Sequence, residues 1–498
     1  MNKFFAFLIL CGAYCSAFSQ ALVNNNGASI YVMDGASVIV KTNSLHNLAG
    51  GVLNNQGTIT VEGDVTNDAT INGNGDTIRV YMDWVNNSSY TGNNSWVDLY
   101  GDNQNIAGTA VTTFNNLNLG GGTVIKTQQS VNAITSGLLT LNSAELATGT
   151  NQMYVSNTTP NAITWSTGFV SSTGAGMLAR ATNSTSVYTF PVGSPSQTNG
   201  PSIFRPVQIT PAAANADEYG AMVVKGDATV SGYDVTSFDD SLCAVNPNFF
   251  HQLYRVTGND PVALTMTFDP ATDGNWTDQA EWSAPISNLW NYLGPSTAGT
   301  ALNLSSVTVS GVNNFNPPPF ALAKKKFTIT SGGPYNITQG QSTPLDPTAN
   351  TTTPLDSIAW SPASGLSCTN CLTPTASPEN TTDYTLLVKD ATGCLAIDTI
   401  LVTVFPGQLL LPTAFSPNGD GENDYFHVLN KNITKVDLQV FNRWGEKVYE
   451  TEDIDDRGWD GTFKGMKQDM GVFVWQCQYQ FTNSSKLLTA SGNVTLVR

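Results

Sequence analysis

The part of the sequence that most constrains the fold lies between residues 57 and 108. Three consecutive segments each combine a short alternating apolar stretch with a corner rich in Asn and Gly: GTITVEGDVTNDATINGNG (57–75), DTIRVYMDWVNNSSYTGNNSW (76–96) and VDLYGDNQNIAG (97–108). The repeat length is loose, roughly twenty residues. One such segment cannot bury its apolar side alone, but stacked copies can. We therefore predict a right-handed β-solenoid for residues 20–160, with a meandering β-sandwich as the alternative.

The composition also favours an all-β chain. Only 12% of the 498 residues are charged, compared with about 25% in an average globular protein. Gly, Asn, Ser and Thr take up the difference, and this mixture favours short strands and tight turns over long helices. The net charge is −17, with 21 Lys and Arg against 38 Asp and Glu. A chain with this charge lacks the basic stripe that neutralises phosphates, so we do not expect nucleic-acid binding.

The N-terminus predicts export. Lys3 precedes an apolar run at residues 4–10, and Ala-Phe-Ser at 17–19 forms a small-x-small cleavage site. We predict a signal peptide at residues 1–19 that is cut between Ser19 and Gln20. No later apolar run reaches the length of about 18 residues that crosses a bilayer, so we predict no transmembrane segment.

Two further β regions follow the repeats. Longer apolar runs in residues 161–323 predict a β-sandwich, and the three prolines at 317–319 predict its end. Strand candidates in residues 327–404 are spaced as in small sandwiches. Within this second region, WSPASGLSCTNCLTPTASPENTTDYTLLVKDATGC resembles the immunoglobulin-like and PKD-like modules of exported Bacteroidetes proteins.

Residues 409–498 carry five motifs in a fixed order and predict a β-sandwich of about seven strands. The motifs are PTAFSPNGDGENDYF, VFNRWGEKVYE, GWDGTFKG, GVFVWQCQYQF and GNVTLVR. Together they resemble the gliding-motility-associated C-terminal domain, the type B sorting domain of the Bacteroidetes type IX secretion system. The resemblance implies export through the periplasm, the outer-membrane translocon of that system as a partner, and a final location at the cell surface or in the medium. The sorting-motif residues that it implies are Pro412, Phe415, Pro417, Asn418, Gly419, Asp420, Gly421, Asn423, Asp424, Trp444, Gly445, Trp459, Asp460 and Gly461.

The first motif also resembles a calcium loop, because its Asn and acidic residues lie two positions apart. Neither EF-hand register fits: one places Asn423 where the sharp turn needs Gly, and the other places His427 where a bidentate Glu is needed. The favoured interpretation is a glycine-rich turn whose side chains bind their own backbone. Calcium held by Asn418, Asp420 and Asp424 in another geometry is the alternative, and we predict no other cofactor.

Most of the cysteines of the exported chain are predicted to have structural roles. Cys368 and Cys371 form a CTNC turn, and Cys394 follows in the same region. No histidine lies nearby to complete a zinc site, so we favour a disulfide. Three pairings are open, and a bond from either turn cysteine to Cys394 would cross-link the sandwich. Cys477 lies on the apolar side of the GVFVWQCQYQF strand, which predicts a buried free thiol.

Catalysis is not predicted. The three histidines, His46, His251 and His427, are scattered, so no nucleophile–base group is visible. Five tryptophans could stack on sugar rings if they were exposed, although core packing is the more frequent role: Trp84, Trp96, Trp276, Trp282 and Trp290.

We therefore interpret the chain as a non-enzymatic surface protein, either an adhesin or a structural component. The alternative is an exoprotein that binds or processes polysaccharides. Beyond the translocon, the expected partners are a surface-anchoring protein and a glycan or the surface of a host or partner cell.

Overall fold

The structure is a computed structural model that describes residues 23–195, 202–283, 288–315, 319–351, 353–482 and 484–498. The predicted signal peptide, with its cleavage site at Ser19 and Gln20, lies outside these ranges. As predicted, the described chain is almost entirely β. It divides into two compact units, of which the first ends at Lys325 and the second begins at Lys326. Within the described ranges, no helix has the length and apolarity needed to cross a membrane.

The first part of the chain is a parallel β-solenoid, which confirms the predicted fold. Its strands are β1 Val23–Asn26, β2 Ser29–Val32, β3 Ser37–Val40, β4 Leu45–Leu48, β5 Val52–Asn55, β6 Thr58–Val61, β7 Val65–Asn67, β8 Thr70–Gly73, β9 Thr77–Val80, β10 Trp84–Asn86, β11 Ser89–Thr91, β12 Trp96–Leu99, β13 Gln104–Ala107, β14 Thr112–Phe114, β15 Asn116–Leu119, β16 Ile125–Gln128, β17 Ala133–Thr135, β18 Leu139–Asn142, β19 Glu145–Ala147, β20 Gln152–Val155, β21 Ile163–Trp165, β22 Phe169–Ser171, β23 Met177–Thr182, β24 Tyr188–Phe190 and β25 Val192–Gly193. A 3-10 turn at Pro160–Ala162 precedes β21.

Within each solenoid sheet, a strand pairs in parallel with the strand three positions earlier in the chain. One sheet starts at β1 and ends at β25, a second starts at β2 and passes through β23, and a third starts at β3 and ends at β21. The chain therefore makes about eight turns around a common core. This parallel pairing excludes the meandering sandwich for residues 23–182, because a meander pairs consecutive strands antiparallel. The strand β24 is an exception, since it pairs antiparallel with residues 207–209 and belongs to the sandwich.

A column of buried asparagines runs through the first four turns. Asn25, Asn47, Asn67 and Asn86 lie at equivalent positions, 22, 20 and 19 residues apart, and each Nδ2 donates to the next Oδ1 at 2.8 to 2.9 Å. Asn47 and Asn67 also donate to a backbone carbonyl one turn further on, at 2.9 Å. The column ends at Gly108, where a Cβ would lie 2.0 Å from the carbonyl oxygen of Asn86. The first three amides each donate to the next one inside the core, and only Asn86 Nδ2, at the end of the column, lacks a partner within the described chain; the column therefore specifies how successive turns align.

The β-sandwich continues the solenoid. Its strands are β26 Val207–Pro211, β27 Asp217–Lys225, β28 Leu242–Val245, β29 Phe249–Thr257, β30 Val262–Phe268, β31 Asp278–Ser283, β32 Leu289–Tyr292, β33 Ser296–Ala301, β34 Leu304–Val312 and β35 Pro319–Lys325, with a 3-10 turn at Ala228–Ser231 and a short helix at Pro270–Asp273. The second solenoid sheet extends from β23 into β27, β29, β35, β31 and β32, and β28 also pairs with β35. The strands β24, β26, β30, β34 and β33 form the opposing sheet.

One predicted boundary needs correction. The solenoid does not end at residue 160 but continues to β25; the six-residue β23, which pairs antiparallel with β27, gives this part of the sequence the character of a sandwich. The first unit ends at Lys325, close to the end predicted at residue 323. Pro319 is the first residue of β35, a position where a strand tolerates the missing N–H group.

The tryptophans of the sandwich face its interior. Trp276 is 9% exposed, Trp282 6% and Trp290 0%, and the rings of Trp282 and Trp290 lie edge to face at 5.6 Å. Trp84 is also fully buried, within the solenoid. The interpretation of these four residues as sugar-stacking aromatics is therefore wrong, because their rings form the core.

The second unit contains two sets of sheets. Its strands are β36 Thr328–Thr330, β37 Tyr335–Thr338, β38 Thr343–Pro344, β39 Thr348–Asn350, β40 Leu355–Ser361, β41 Thr375–Ala376, β42 Thr382–Asp390, β43 Leu395–Phe405, β44 Ala414–Phe415, β45 Ile433–Phe441, β46 Lys447–Thr451, β47 Thr462–Phe463, β48 Met466–Lys467, β49 Gly471–Phe481 and β50 Leu487–Leu496. The order β37-β43-β42-β40 forms the main sheet of residues 327–404, beside the pairs β36-β39 and β38-β41. The order β44-β50-β49-β45-β46, with the separate pair β47-β48, accounts for the seven strands of the C-terminal region.

The disulfide of the CTNC turn is local. Cys368 bonds to Cys371, with their Cα atoms 5.9 Å apart. A cross-link from either of these cysteines to Cys394 is therefore wrong, since both sulfurs are already used within the turn. Trp360 donates its indole N–H to the carbonyl oxygen of Cys371 at 2.9 Å, which fixes the turn against β40.

Candidate functional site in the C-terminal domain

Of the two tryptophans in the sorting motif, Trp444 is displayed on the surface. It lies in the turn between β45 and β46 and is 86% exposed. The side-chain oxygen of Asn442 accepts the N–H groups of Trp444 and Glu446, both at 3.0 Å. Gly445 supplies the positive φ of 78° that the turn requires. A rigid turn thus holds a large apolar ring in solvent, where it contributes nothing to the core.

A cleft of about 310 Å³ lies beside this ring. We call it the Trp444 cleft; its lining residues are Asn442, Arg443, Trp444, Gln468, Asp469, Val472 and Phe473. Val472 is exposed, as is Met470 next to it in the sequence. The cleft therefore combines one cation, one carboxylate and exposed apolar side chains, a composition typical of recognition surfaces.

Trp459 has the opposite role. It is 1% exposed, and its ring packs against Phe473 at 4.6 Å and Phe415 at 5.3 Å between ring centroids. Its indole N–H donates to the carbonyl oxygen of Thr462 at 2.8 Å, and its backbone pairs with that of Phe426. Phe415 and Trp459 therefore belong to the domain core, which explains their place in the motif without a binding role.

The glycine-rich loop uses its carboxylates on its own backbone. Asp424 accepts the N–H groups of Gly419 and Gly421 at 2.8 and 2.9 Å, and Asp420 accepts the N–H group of Glu422 at 2.8 Å. Asn418 both accepts the N–H group of Asp420 and donates to its carboxylate. Within the described ranges, no three His, Cys, Asp or Glu side chains form a group that could hold a metal ion. This geometry is that of the favoured turn interpretation.

The whole arrangement coincides with a known family. The protein-family model described as CHU_C type IX secretion signal domain matches residues 409–496. These residues form a type IX secretion signal domain. The signal domain directs export to the cell surface or the extracellular space, as the resemblance of the five motifs implies.

Comparisons of the chain beyond the signal domain give only distant similarity. None of the curated proteins compared with this chain matches it. Among solved structures, it is similar to the D00-D0 domain of intimin, at 13% identity over 34% of this chain and 100% of that chain, with a TM-score of 0.16. A tetra-tandem repeat of a large adhesion protein covers 60% of this chain and 89% of its own at 12% identity, with a TM-score of 0.17. Dimeric latent PorU from Porphyromonas gingivalis shares 8% identity over 59% of this chain and 31% of its own, with a TM-score of 0.15. At these TM-scores the similarities support no statement about function.

The remaining motif residues of the signal domain support its turns. Asp460 accepts the N–H group of Thr462 at 2.9 Å, and Gly461, at a φ of 74°, lies against Leu496 and Pro417. Asn423, at a φ of 52°, returns the glycine-rich loop by accepting the N–H group of Ser416. Pro412 lies two residues before β44.

Electrostatics distinguishes the loop from the interior of the signal domain. The N–H group of Glu422 and the amide of Asn418 lower the pKa of Asp420, because they stabilise its charged form. Burial raises the pKa of Cys477 to about 12, and this cysteine is a free, buried thiol, as predicted. Neither group has the environment of a catalytic acid, base or nucleophile.

Sequence reasoning missed one wall of the Trp444 cleft. Gln468 and Asp469 line the cleft and lie in the segment KGMKQDMG, which is not among the five motifs. A signal was present in that segment, since the exposed Met466 and Met470 flank its polar residues. Exposed methionines are frequent at binding surfaces.

Proposed function

We propose that this protein is a non-enzymatic adhesin or structural component of the cell surface, delivered by its signal domain. The observation that supports the proposal is an exposed cluster of aromatic and charged side chains on the third solenoid sheet. Long stacked arrays present such side surfaces to partners. Export to the surface places this one where it can meet another cell, a matrix or a neighbouring protein.

Two tyrosines on successive turns form the centre of this surface. Tyr81 and Tyr100 are 36% and 47% exposed, and their ring centroids lie 5.5 Å apart. The guanidinium of Arg79 lies 5.1 Å from the Tyr100 ring centroid, and its Nε donates to Asp98 at 2.8 Å. Asn118 donates to the other oxygen of Asp98 at 2.7 Å. We call these five residues the tyrosine surface.

The chemistry of the tyrosine surface suits binding. Tyrosine and arginine are enriched in energetically important contacts, because they offer large apolar area together with hydrogen-bond donors. The ion pair and the amide hold Arg79 in place before any partner arrives, which reduces the entropy lost on binding.

The test is adhesion by the mature chain, residues 20–498. We expect binding to partner cells or matrix to fall at least about tenfold in the Tyr81→Ser/Tyr100→Ser variant, which corresponds to a loss of about 1.4 kcal/mol. The matched control is Val111→Ser, which alters an exposed apolar residue elsewhere on the solenoid. Equal binding by both variants would remove the tyrosine surface from the proposal.

Glycan binding is the second candidate, and the tyrosine surface is again the observation that favours it. Aromatic rings beside a carboxylate, an amide and a guanidinium can stack on sugar rings and bind their hydroxyl groups. A glycan array separates the two candidates. Signals that disappear in the Tyr81→Ser/Tyr100→Ser variant favour a glycan ligand, whereas adhesion without any array signal favours a protein partner.

We also propose that the secretion machinery contacts the Trp444 cleft. The supporting observation is the contrast between the buried Trp459 and the exposed, rigidly held Trp444 within one signal domain. In a host with a working type IX system, Trp444→Ala should leave the full chain in the periplasm, while the control Leu487→Ala, at an exposed apolar residue of the same domain, should be exported. Normal export of Trp444→Ala would place recognition elsewhere on the domain.

A further inference from the structure

The first turn of the solenoid leaves only part of the core open at its end, since Val32 and Val40 are at most 5% exposed there. The inward-facing Val23, Ile30 and Val38 are only half-buried. Their neighbours one turn further on, Leu45, Leu53 and Ile59, are at most 4% exposed. The same core positions therefore change from half-buried to buried within one turn, because among the described residues nothing stacks on the outer side of β1, β2 and β3.

The opposite end of the solenoid is closed. The strand β23 continues into β27, and Val170 and Ile163 of the last turns are at most 3% exposed. Arg180 donates to the carbonyl oxygens of Thr159 and Thr189 at 2.9 and 2.8 Å, which ties these segments together. The sandwich thus covers one end, and the difference between the two ends is a property of this fold.

The open end lacks the protection that sheet edges normally carry. The strands β1, β2 and β3 have the sequences VNNN, SIYV and SVIV, without a charged residue or a proline. Each has a neighbour on one side only, so one row of N–H and C=O groups per strand has no strand partner within the described chain. Monomeric proteins usually block such edges with lysine, proline or a covering segment.

The outward-facing side chains of this turn are also unusual. Tyr31 is 65% exposed and Ile39 is 56% exposed. The residues that stack on them in the next turn are Asn54 and Thr60, both polar. Together with the unprotected strand edges, these exposed apolar residues indicate that this end is covered in the working protein.

We propose that a second copy of this chain covers the open end, so that two solenoids pair end to end about a two-fold axis. One sequence prediction and two observations favour a second copy over other occupants. Cleavage before Gln20, which the sequence predicts, leaves residues 20–22 ahead of β1, too few for another turn. A copy offers three edges of matching length, four residues each. The three strands carry no charge, and Asp34, in the turn between β2 and β3, is the only charged residue between positions 23 and 40, so two chains of net charge −17 meet here with little local repulsion.

The pairing has a simple geometry. A two-fold axis across the end reverses strand direction, so each edge meets an antiparallel edge of the copy and their backbone groups pair. The half-buried Val23, Ile30 and Val38 of both copies would close one continuous core. Two tyrosine surfaces would then belong to one particle, which raises the strength of attachment without any new ligand contact.

The test measures the mass of the mature chain, residues 20–498, by light scattering and sedimentation over a range of concentrations. We expect twice the monomer mass for the unaltered chain. The variant Tyr31→Lys/Ile39→Lys should have the monomer mass, since charges at these exposed positions repel across the two-fold axis. Val111→Lys, an exposed change on a later turn, is the matched control and should stay dimeric.

Amide hydrogen exchange provides the second measurement and separates lost pairing from lost folding. The amides of β1, β2 and β3 should be protected in the dimer and lose protection on dilution, while those of β5 and β6 stay protected. A monomer at every concentration, or a dimer that persists in the Tyr31→Lys/Ile39→Lys variant, would overturn the proposal. Capture of a different protein at this end, with no self-association, would also overturn it.

Discussion

The solenoid and the signal domain solve the problem of a β core in different ways. In the solenoid, a buried asparagine donates a hydrogen bond to the equivalent residue in the next turn, so each turn is stabilised mainly by its direct neighbours. In the signal domain, Trp459 gathers Phe415, Phe426 and Phe473 from separate segments around one centre. Damage in the first region should therefore stay local, whereas damage in the second should affect the whole domain.

The largest expected effect on stability comes from removing the Trp459 ring from that centre. Trp459→Ala should cost the signal domain about 3–5 kcal/mol, because it removes a fully buried ring and leaves a cavity. Hydrogen exchange of the mature chain should show lost protection across residues 409–498. The matched control, Trp444→Ala, should change stability by less than about 0.5 kcal/mol, since that ring is exposed. Similar losses in both variants would contradict a single centre.

The next largest effect is expected from lowering the pH, which should destabilise the first unit. His251 is fully buried in the sandwich with its Nε2 2.8 Å from the carbonyl oxygen of Arg205, and burial lowers its pKa from 6.5 to about 4. The unfolded chain binds a proton below about pH 6.5 while the native imidazole stays neutral to about pH 4. The first unit should therefore lose about 3 kcal/mol of stability between these pH values.

Urea unfolding at pH 7, 5.5 and 4.5, followed by exchange of peptides from each unit, measures this loss. The variant His251→Gln keeps a side-chain donor but does not titrate, so its first unit should show a flatter pH profile. A profile as steep as that of the unaltered chain would assign the loss to other groups.

The asparagine column should produce a smaller and more local effect. Asn67→Ala leaves the amides of Asn47 and Asn86 without their partners, which should cost about 2 kcal/mol. Hydrogen exchange should increase in the turns that contain β4, β7 and β10 and stay unchanged beyond β16. The control is Asn72→Ala, which removes a half-buried hydrogen bond from the Asn72 side-chain amide to Asn54, on the outside of the solenoid. Loss of protection along the whole solenoid would contradict nearest-neighbour stability.

The smallest effect concerns Cys477. Because burial raises its pKa to about 12, the native chain should not react with a thiol reagent at pH 8 within minutes. Unfolding in guanidinium should expose the thiol to the reagent. Rapid reaction of the native chain would mean that the core of the signal domain opens more easily than that of the solenoid.

The solenoid is well predicted from the sequence because Asn and Gly, which favour tight turns, recur at its corners at a repeating interval. The sequence does not predict the asparagine column, since Asn67 and its equivalents look like corner residues until the register places them inside. Likewise, the five motifs predict the signal domain, but only the three-dimensional contacts separate Trp459 in the core from Trp444 on the surface. Both outcomes depend on which side of a strand or turn faces the core, and a short Trp-Gly or Trp-Asp-Gly motif does not determine that.

The strand β23 has a mechanical consequence. It pairs in parallel with β20 of the solenoid and antiparallel with β27 of the sandwich, so one hydrogen-bonded sheet crosses from one to the other. A pulling force on the solenoid is therefore carried by backbone hydrogen bonds and not by a flexible hinge. In a single-molecule stretching experiment, the sandwich and the last solenoid turns should yield in one rupture event, so that the junction resists load as a single body.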